Sequence, residues 1–292
     1  MLRRTALALP LALAAKPLPL RLSVRVEPLF PGLPLPKQIE KVAQAGYQAF
    51  EFGDWRAAKA KEINAVKRRF RLECACIVGN KSVNPKGMGL CDPSERAGFL
   101  AEIRASTDAA IEFETKQIVV LTGFKVPHLS REQQQASIVE GLKQATDIVG
   151  PKGITMILEP INTLAKVEPL NPQGNNHSDY FLDHIPEALH LLRQVNHPNA
   201  KLLYDLYHAQ IMDGNLIETI RQNIAQIAHI HIGDVPGRHQ PGTGEIDHRN
   251  VFRAIRDSGF KGYVAMEYIP LGDAMQSLRT VRQMVRRIVD SI

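Results

Sequence analysis

The segment ITMILEP, residues 154–160, is the clearest of four short apolar runs that each carry a side chain able to bind a metal ion. ITMILEP contains Glu159, KLLYD ends on Asp205, IAHIHI contains His231 and YVAME ends on Glu267. Each run has the composition of a buried β-strand, and a helix-like segment follows it. Parallel strands that alternate with helices end at one edge of the sheet, so these four side chains are predicted to converge.

The same alternation of strand and helix extends upstream to residue 21. Strands are predicted at 21–30, 47–52, 72–78, 116–123, 154–159, 201–205, 227–232 and 263–267, and helices at 36–45, 59–70, 94–114, 130–150, 185–195, 216–224, 249–258 and 274–289. Eight such units predict an α/β fold, a single-domain (β/α)₈ TIM barrel over residues 21–292. An open, doubly wound sheet is the alternative, but no G-x-G-x-x-G or Walker loop follows any strand.

Two helix starts are predicted from their caps. Ser94 precedes the long helix-like segment at 94–114 and is expected to be its N-cap. Ser130 and Gln133 have the spacing of a capping box at the start of the next helix.

The N-terminal residues have the pattern of a secretory signal peptide. MLRRTALALPLALAA, residues 1–15, combines Arg3 and Arg4 with an apolar stretch, and Ala12-Leu13-Ala14 gives an A-x-A cleavage pattern. We therefore expect residues 1–20 to be a signal peptide, of the twin-arginine type, and a linker, and the protein to be exported to the periplasm. An uncleaved tail on a cytoplasmic protein is the alternative.

The composition is that of a globular protein, with 292 residues, 44% apolar and 23% charged residues, and a net charge of +6. The basic residues are scattered singly, so nucleic acid is not predicted as a partner. A small sugar or hydroxy-carbonyl compound is predicted as the substrate. The chain is also compatible with a homo-oligomer. No later segment reads as a membrane span. The three cysteines, Cys74, Cys76 and Cys91, are expected to be buried and free.

The four converging side chains predict a divalent-metal centre. Taken singly, a carboxylate at a strand end is more often a helix cap or an ion-pair partner, but four together need a cation between them. Three carboxylates and one imidazole suit Mn²⁺, Mg²⁺ or Co²⁺ better than a closed zinc site. Glu159 and Glu267 can also serve as an acid–base pair on a carbon next to a carbonyl, with an enediolate as the intermediate.

Five further residues are predicted to lie around this centre or close to it. His208 is predicted to bind a substrate oxygen, the alternative being a capping or core histidine. Arg238, in a loop that reads as mobile, is predicted to pair with a substrate carboxylate or phosphate, the alternative being a solvated arginine. His229 is expected to point into the helix layer, Glu51 to face the mouth and support the site, and His177 to close over the substrate.

Four segments resemble the hydroxypyruvate isomerase family. They are LEPIN at 158–162, YDLYHAQIMDGNL at 204–216, IAHIHIGDVPGRHQPGTGEID at 227–247 and GYVAMEY at 262–268. This family lies in the xylose isomerase-like TIM-barrel superfamily, with the ketose 3-epimerases and endonuclease IV as relatives. The resemblance implies a divalent metal ion, an acid–base pair, two substrate-binding residues and isomerisation of a small hydroxy-carbonyl compound. These roles fall on Glu159, Asp205, His231 and Glu267 (metal), Glu159 and Glu267 (catalysis), and His208 and Arg238 (substrate).

The chain departs from the family at the third ligand position. Some hydroxypyruvate isomerases have glutamine there, whereas His231 matches the epimerases, so a ketose 3-epimerase is the alternative function. Two other classes are weaker. An endonuclease IV-like phosphodiesterase needs three zinc ions and more histidines at the mouth, and a non-catalytic carbohydrate-binding barrel would retain the site without turnover.

Overall fold

The computed structural model describes residues 18–80, 89–165 and 177–290, and it has eight parallel strands in one sheet. The strands are β1 (Arg21–Val24), β2 (Ala49–Phe52), β3 (Glu73–Val78), β4 (Gln117–Val120), β5 (Thr155–Leu158), β6 (Ala200–Asp205), β7 (Ile227–Ile232) and β8 (Tyr263–Met266). Nearly all their residues are buried, as expected for strands covered on both faces. The predicted strand positions are therefore confirmed, and the ends differ by at most three residues in every strand except the first.

Helices cover the outside of the sheet. They are α1 (Val26–Leu29), α2 (Leu35–Gln44), α3 (Ala60–Phe70), α4 (Arg96–Glu112), α5 (Arg131–Val149), α6 (Ile185–Val195), α7 (Leu206–Met212), α8 (Leu216–Asn223), α9 (His248–Asp257) and α10 (Ala274–Asp290). Among the described helices, none is both long and apolar enough to cross a membrane. The predicted signal sequence lies almost wholly outside the described residues.

The strands follow the order β1-β8-β7-β6-β5-β4-β3-β2, and the ring nearly closes between β1 and β2. At that seam Arg25 and Glu51 form one β-bridge. The Gln48 amide donates to the Leu22 carbonyl at 3.3 Å, and the Gln48 side-chain oxygen accepts from the Leu22 amide at 3.0 Å. The predicted (β/α)₈ barrel is thus confirmed over the open doubly wound sheet.

The interior of the barrel is polar along much of its axis. Alternate residues of each strand point inward, and strand register sets their depth. Through the pairings of β1, β8 and β7, Ser23 lies level with Ala265 and His231. Near the amino ends of the strands, the Arg21 guanidinium bonds the Glu73 carboxylate at 2.7 Å. The inward-facing polar side chains include Arg21, Ser23, Glu51, Cys76, Gln117, His229 and His231.

Three expectations, one about a strand and two about helices, need correction. The predicted strand at 21–30 ends at Val24, and the chain then turns into α1. Ser94 does not cap α4; instead the Asp92 carboxylate accepts from the Ser94 amide at 2.8 Å and starts a 3₁₀ turn ahead of the helix. The seven-residue α7 was not predicted, because it follows β6 without a loop. By contrast, the capping box of Ser130 and Gln133 is present at the start of α5.

Candidate active site

The four predicted ligands converge at the carboxyl ends of β5 to β8. Asp205 and His231 are register partners on β6 and β7, and Glu159 and Glu267 directly follow β5 and β8. One ligand atom from each residue lies within 4.8 Å of the others, and all four side chains are buried. The prediction that the four strand ends share one site is therefore matched by the geometry.

The imidazole of His231 lies at the centre of this group. Its Nδ1 is 2.7 Å from Glu267 Oε2, 3.5 Å from Glu159 Oε1 and 3.8 Å from Asp205 Oδ2. Although these oxygens are close, Nδ1 is buried without a hydrogen bond of acceptable angle among the described residues. A buried nitrogen aimed at three carboxylates is the donor arrangement that a divalent cation requires, so these residues fit the implied metal ion.

Carboxylates and basic side chains act on one another in this site. Burial raises the pKa of Glu159, and the charges of Glu267 and Asp205 add to that effect. Burial opposes ionisation of Asp205 as well, but His208 and Arg238 outweigh it and hold the pKa of Asp205 well below its usual range. Carboxylates kept ionised in a buried site are stabilised by positive charge placed among them.

The same field acts on His231. Burial disfavours an imidazolium there, but Glu267 and Glu51 outweigh it and raise the pKa of His231 well above its usual range. For Glu267, burial is outweighed by His231 and Arg238, which hold its pKa below the usual range. Because a ligating nitrogen must be deprotonated, a bound cation would take the place of the proton on this imidazole.

Arg238 lies inside the site rather than on an exposed loop. Its side chain is 4% exposed, and the same Nη2 donates to Asp205 Oδ2 at 2.8 Å and to Glu267 Oε2 at 2.7 Å. The guanidinium carbon also lies 4.9 Å from the centre of the Tyr207 ring. The predicted proximity of Arg238 to the centre thus agrees with the structure. The loop that carries Arg238, which was expected to be mobile, is held by hydrogen bonds to a buried side chain.

A buried carboxylate that the sequence reasoning missed holds this loop. Asp234 is fully buried, and its two oxygens accept five backbone hydrogen bonds from the loop that carries Arg238. The donors are the amides of Val235, Gly242, Thr243, Gly244 and Ile246, at 2.9 to 3.1 Å. The loop passes so close to itself that a Cβ on Gly244 would lie 2.0 Å from the Val235 carbonyl oxygen.

Asp205 also starts the unpredicted helix α7. Its Oδ1 accepts from the Tyr207 amide at 2.8 Å, which is the N-cap interaction, and its Oδ2 faces the site. His208 follows in the first turn, and its Nδ1 lies 3.2 Å from the Asn162 amide, which donates to it. A neutral His208 then carries its proton on Nε2, 3.6 Å from Asp205 Oδ2. His208 is therefore a donor at the edge of the site.

The expectation for His229 was wrong. Residues two apart on a strand point to the same face, so His229 points into the barrel with His231 and not into the helix layer. Its Nε2 lies 2.9 Å from Glu51 Oε2, and Glu51 Oε1 accepts from His231 Nε2 at 2.7 Å. Glu51 does face the site from β2, as predicted.

Two more inward-facing residues were missed, although strand periodicity indicates both. Arg25 follows β1 at the mouth, two positions beyond the inward-facing Ser23, and its Nε lies 2.8 Å from Glu27 Oε2. Gln117, at the start of β4, reaches His229. His177, predicted to close over the substrate, is buried and packs against Tyr180 with 6.3 Å between ring centres. All three cysteines are buried and free, as expected.

Comparison with known proteins places this site in a family. Residues 39–284 match the family model described as xylose isomerase-like TIM barrel. Hydroxypyruvate isomerase of Escherichia coli K12 is 30% identical over 266 residues, covering 89% of this chain and 97% of that protein. A 2-oxo-tetronate isomerase of Pectobacterium atrosepticum is 27% identical over 261 residues, covering 86% and 92%.

Solved structures share the fold over nearly their whole length. An AP endonuclease of family 2 from Brucella melitensis superposes with a TM-score of 0.78 at 26% identity, covering 90% of this chain and 98% of that one. An L-ribulose 3-epimerase superposes with a TM-score of 0.76 at 16% identity, covering 93% and 95%. The second likeness concerns the fold alone. Together, the matched family model and the isomerase relatives show that this chain is an isomerase that belongs to the hydroxypyruvate isomerase family of xylose isomerase-like TIM barrels.

Proposed function

We propose that the protein is a divalent-metal-dependent isomerase that interconverts a small hydroxy-aldehyde and ketone through an enediolate, as in a hydroxypyruvate isomerase. The observation that carries the proposal is the buried cluster of Glu159, Asp205, His231 and Glu267, whose ligand atoms lie within 4.8 Å of one another. Its oxygen-rich donor set favours Mn²⁺, Mg²⁺ or Co²⁺. The isomerase relatives support the reaction class.

The proton transfers are assigned to two carboxylates. A bound cation would supply Lewis-acid stabilisation of negative charge on adjacent substrate oxygens. Glu159 and Glu267 follow different strands, β5 and β8, and so approach a substrate in the mouth from different directions. One takes the proton from the carbon next to the carbonyl, and the other returns a proton to the former carbonyl carbon, while the hydroxyl proton passes to the former carbonyl oxygen so that the new carbonyl can form.

Two residues are assigned to substrate binding. His208 directs its Nε2 towards the carboxylate cluster, with Nδ1 held by the Asn162 amide, and so offers a proton to a substrate oxygen. Arg238 lies against Asp205 and Glu267 and offers a planar guanidinium to a substrate carboxylate or phosphate. An anionic end on the substrate would therefore be oriented relative to the acid–base pair.

A ketose 3-epimerase is the second candidate. The observation in its favour is His231 at the third ligand position, which is the residue found in the epimerases. The same carboxylate pair would then take a proton from one face of a carbon and return it to the other. Product analysis of the Mn²⁺-loaded protein over hydroxypyruvate, 2-oxo-tetronate and free ketoses separates the two reactions. Turnover that persists in EDTA would contradict metal dependence for both.

The acid–base assignment is tested by Glu159→Gln and Glu267→Gln. Each change keeps an oxygen donor but removes the proton acceptor, so turnover should fall at least about 100-fold. Glu245→Gln, an exposed carboxylate on the Arg238 loop, is the matched control and should retain activity. Reaction in D₂O should place deuterium on the product carbon. Full activity in both glutamine variants, or product free of solvent deuterium, would refute the enediolate route.

A further inference from the structure

A line of buried polar side chains crosses the barrel interior from β4 to the candidate metal centre. Gln117, His229, Glu51 and His231 contact one another in that order, and three of them are 2% exposed or less. Polar groups this far from water must satisfy one another. The direction of each contact along the line therefore follows from which atoms can donate.

Gln117 sets the first direction. Its side-chain nitrogen donates to the Ala228 carbonyl at 3.0 Å, so its Oε1 is the atom that faces His229 Nδ1 at 3.1 Å. An amide oxygen only accepts hydrogen bonds. Nδ1 of His229 therefore carries a proton, and its Nε2 is turned towards Glu51.

Glu51 lies between the two imidazoles. Its Oε2 is 2.9 Å from His229 Nε2, a contact that becomes an ion pair when both ring nitrogens of His229 carry protons. Its Oε1 is 2.7 Å from His231 Nε2 in a hydrogen bond. The carboxylate is fully buried on β2, across the barrel axis from β7. It offers an acceptor to each ring at a fixed position.

His231 completes the line. Its Nδ1 faces the three carboxylates of the candidate centre, while its Nε2 meets Glu51. If Nδ1 is the ligating nitrogen, it carries no proton, and the ring proton lies on Nε2 and is donated to Glu51. An acceptor at the position of Glu51 Oε1 selects this tautomer and fixes the ring plane.

We propose that Glu51 and His229 are positioning residues that hold His231 with its proton on Nε2 and so direct Nδ1 at the metal ion. Gln117 orients His229, and His229 in turn holds the Glu51 carboxylate against His231. This assignment rests on the proposed function, because it needs a cation bound by His231. It predicts an effect on metal affinity, which is measured without any substrate.

Mn²⁺ binding to the full-length protein, followed by the EPR signal of free Mn²⁺, tests the assignment. Glu51→Leu removes the acceptor at nearly constant volume and should weaken Mn²⁺ binding about 10- to 100-fold. Glu51→Gln should bind within about 3-fold of wild type, because its amide oxygen still accepts from His231 while its NH₂ donates to His229. Ser23→Ala, buried at the same level of the barrel, is the matched control and should bind as wild type does.

Two results would overturn the assignment. Equal Mn²⁺ affinity in Glu51→Leu and wild type would show that His231 needs no partner. An equally large loss in Glu51→Gln and Glu51→Leu would show that negative charge, and not the position of an acceptor, is what matters. Failure of the proposed function would give a different result. Wild type would then bind no Mn²⁺, or would bind Mn²⁺ that Asp205→Ala does not remove.

A second metal ion is the competing use of this cluster. Glu51, Cys76 and His229 also place one ligand atom each within 4.8 Å of the others. Under the positioning role wild type binds one Mn²⁺ per chain. Two equivalents, with one lost in both Glu51→Leu and His229→Leu, would replace the assignment with a second metal site.

The tautomer itself is measured on wild type, so the proposal stays testable even if Glu51→Leu fails to fold. In ¹⁵N-histidine-labelled protein loaded with Mg²⁺, the His231 signals are identified by their loss in His231→Gln. We expect a protonated Nε2 and an unprotonated Nδ1. A proton on Nδ1 in the metal-loaded protein would refute the proposal.

Discussion

At the scale of single residues, Arg238 contacts two of the four proposed metal ligands. One guanidinium nitrogen bonds both Asp205 and Glu267, and both partners are proposed metal ligands. The planar group can bond two carboxylates and still orient a substrate anion, which a lysine ammonium cannot do with the same geometry. In the proposed mechanism Arg238 would therefore link the charge balance of the centre to substrate orientation.

We expect Arg238→Lys to keep the charge but lose the planar geometry. The value of kcat/KM should fall about 10- to 100-fold, which corresponds to about 1.4 to 2.8 kcal/mol. Steady-state kinetics on the Mn²⁺-loaded protein measures this. Arg253→Lys, on the exposed side of α9, is the control. Unchanged kinetics in Arg238→Lys would show that only a positive charge is needed there.

His248 gives a prediction about pH. Burial lowers the pKa of this side chain, although the nearby Asp234 opposes the shift. Below about pH 6.5 the unfolded chain takes up a proton on His248 that the folded protein does not, so the free energy of unfolding decreases as the pH falls. His248→Gln removes this contribution.

The stability advantage of wild type over His248→Gln should therefore shrink between pH 7.5 and pH 5.5. Urea unfolding in EDTA measures it without a contribution from metal binding. The exposed His190→Gln on α6 controls for loss of a histidine. A difference that stays constant or grows on acidification would contradict a buried neutral His248.

Single residues also show what the sequence could and could not predict. Asp205 and Glu267 were predictable because each ends an apolar run, and the barrel then brings such ends together. His229 was assigned to the wrong face, although the period of two along a strand already placed it beside His231. Gln117 was not predictable as its partner, because β4 and β7 are far apart in the chain and meet only across the closed barrel.

At the scale of elements, the loop from Asp234 to Ile246 depends on one carboxylate. Asp234→Asn would turn an amide NH₂ towards backbone N–H groups in either orientation, because both oxygens accept at present. We expect a loss of about 1 to 3 kcal/mol in the free energy of unfolding. A lower kcat/KM should accompany it, because Arg238 lies in this loop.

Denaturant unfolding and kinetics on the same preparations measure both effects of Asp234→Asn. Glu245→Gln, an exposed carboxylate on the same loop, should change neither quantity. Retained stability with retained activity would show that the backbone holds the loop without Asp234.

Helix starts and ends mark the limit of pattern reading at this scale. The capping box of Ser130 was predictable because both side chains of the motif are local in sequence. The start of α4 was not, because Ser94 is a good capping residue by type, yet Asp92 caps a 3₁₀ turn at Pro93–Glu95 that leads into the helix. Helix α7 was missed because Asp205 ends β6 and caps the helix in the same residue.

At the scale of the whole molecule, the order of elements was predictable because parallel strands must be joined by helices and eight of them close into a ring. The polar interior was not. Aliphatic residues usually fill such barrels, and the inward-facing polar residues form a contact line only once the strands are in register.

Export of the protein remains a prediction from residues 1–20. Cell fractionation of the natural host protein should find it in the periplasm, shortened at its N-terminus. If the signal is of the twin-arginine type, Arg3→Lys combined with Arg4→Lys should leave the precursor in the cytoplasm. Full-length protein in the cytoplasm of wild-type cells would contradict export.

The seam between β1 and β2 has a consequence for how the ring is kept whole. Backbone pairing there rests on few contacts, yet Glu51 of β2 reaches past β1 and β8 to His231 of β7. The sparsely paired seam between β1 and β2 is thus supported by a hydrogen bond that crosses the barrel interior. A cation bound by His231 would stabilise this hydrogen bond between Glu51 and His231. Loading the centre with metal should therefore slow amide hydrogen exchange in β2, although β2 contributes none of the proposed ligands.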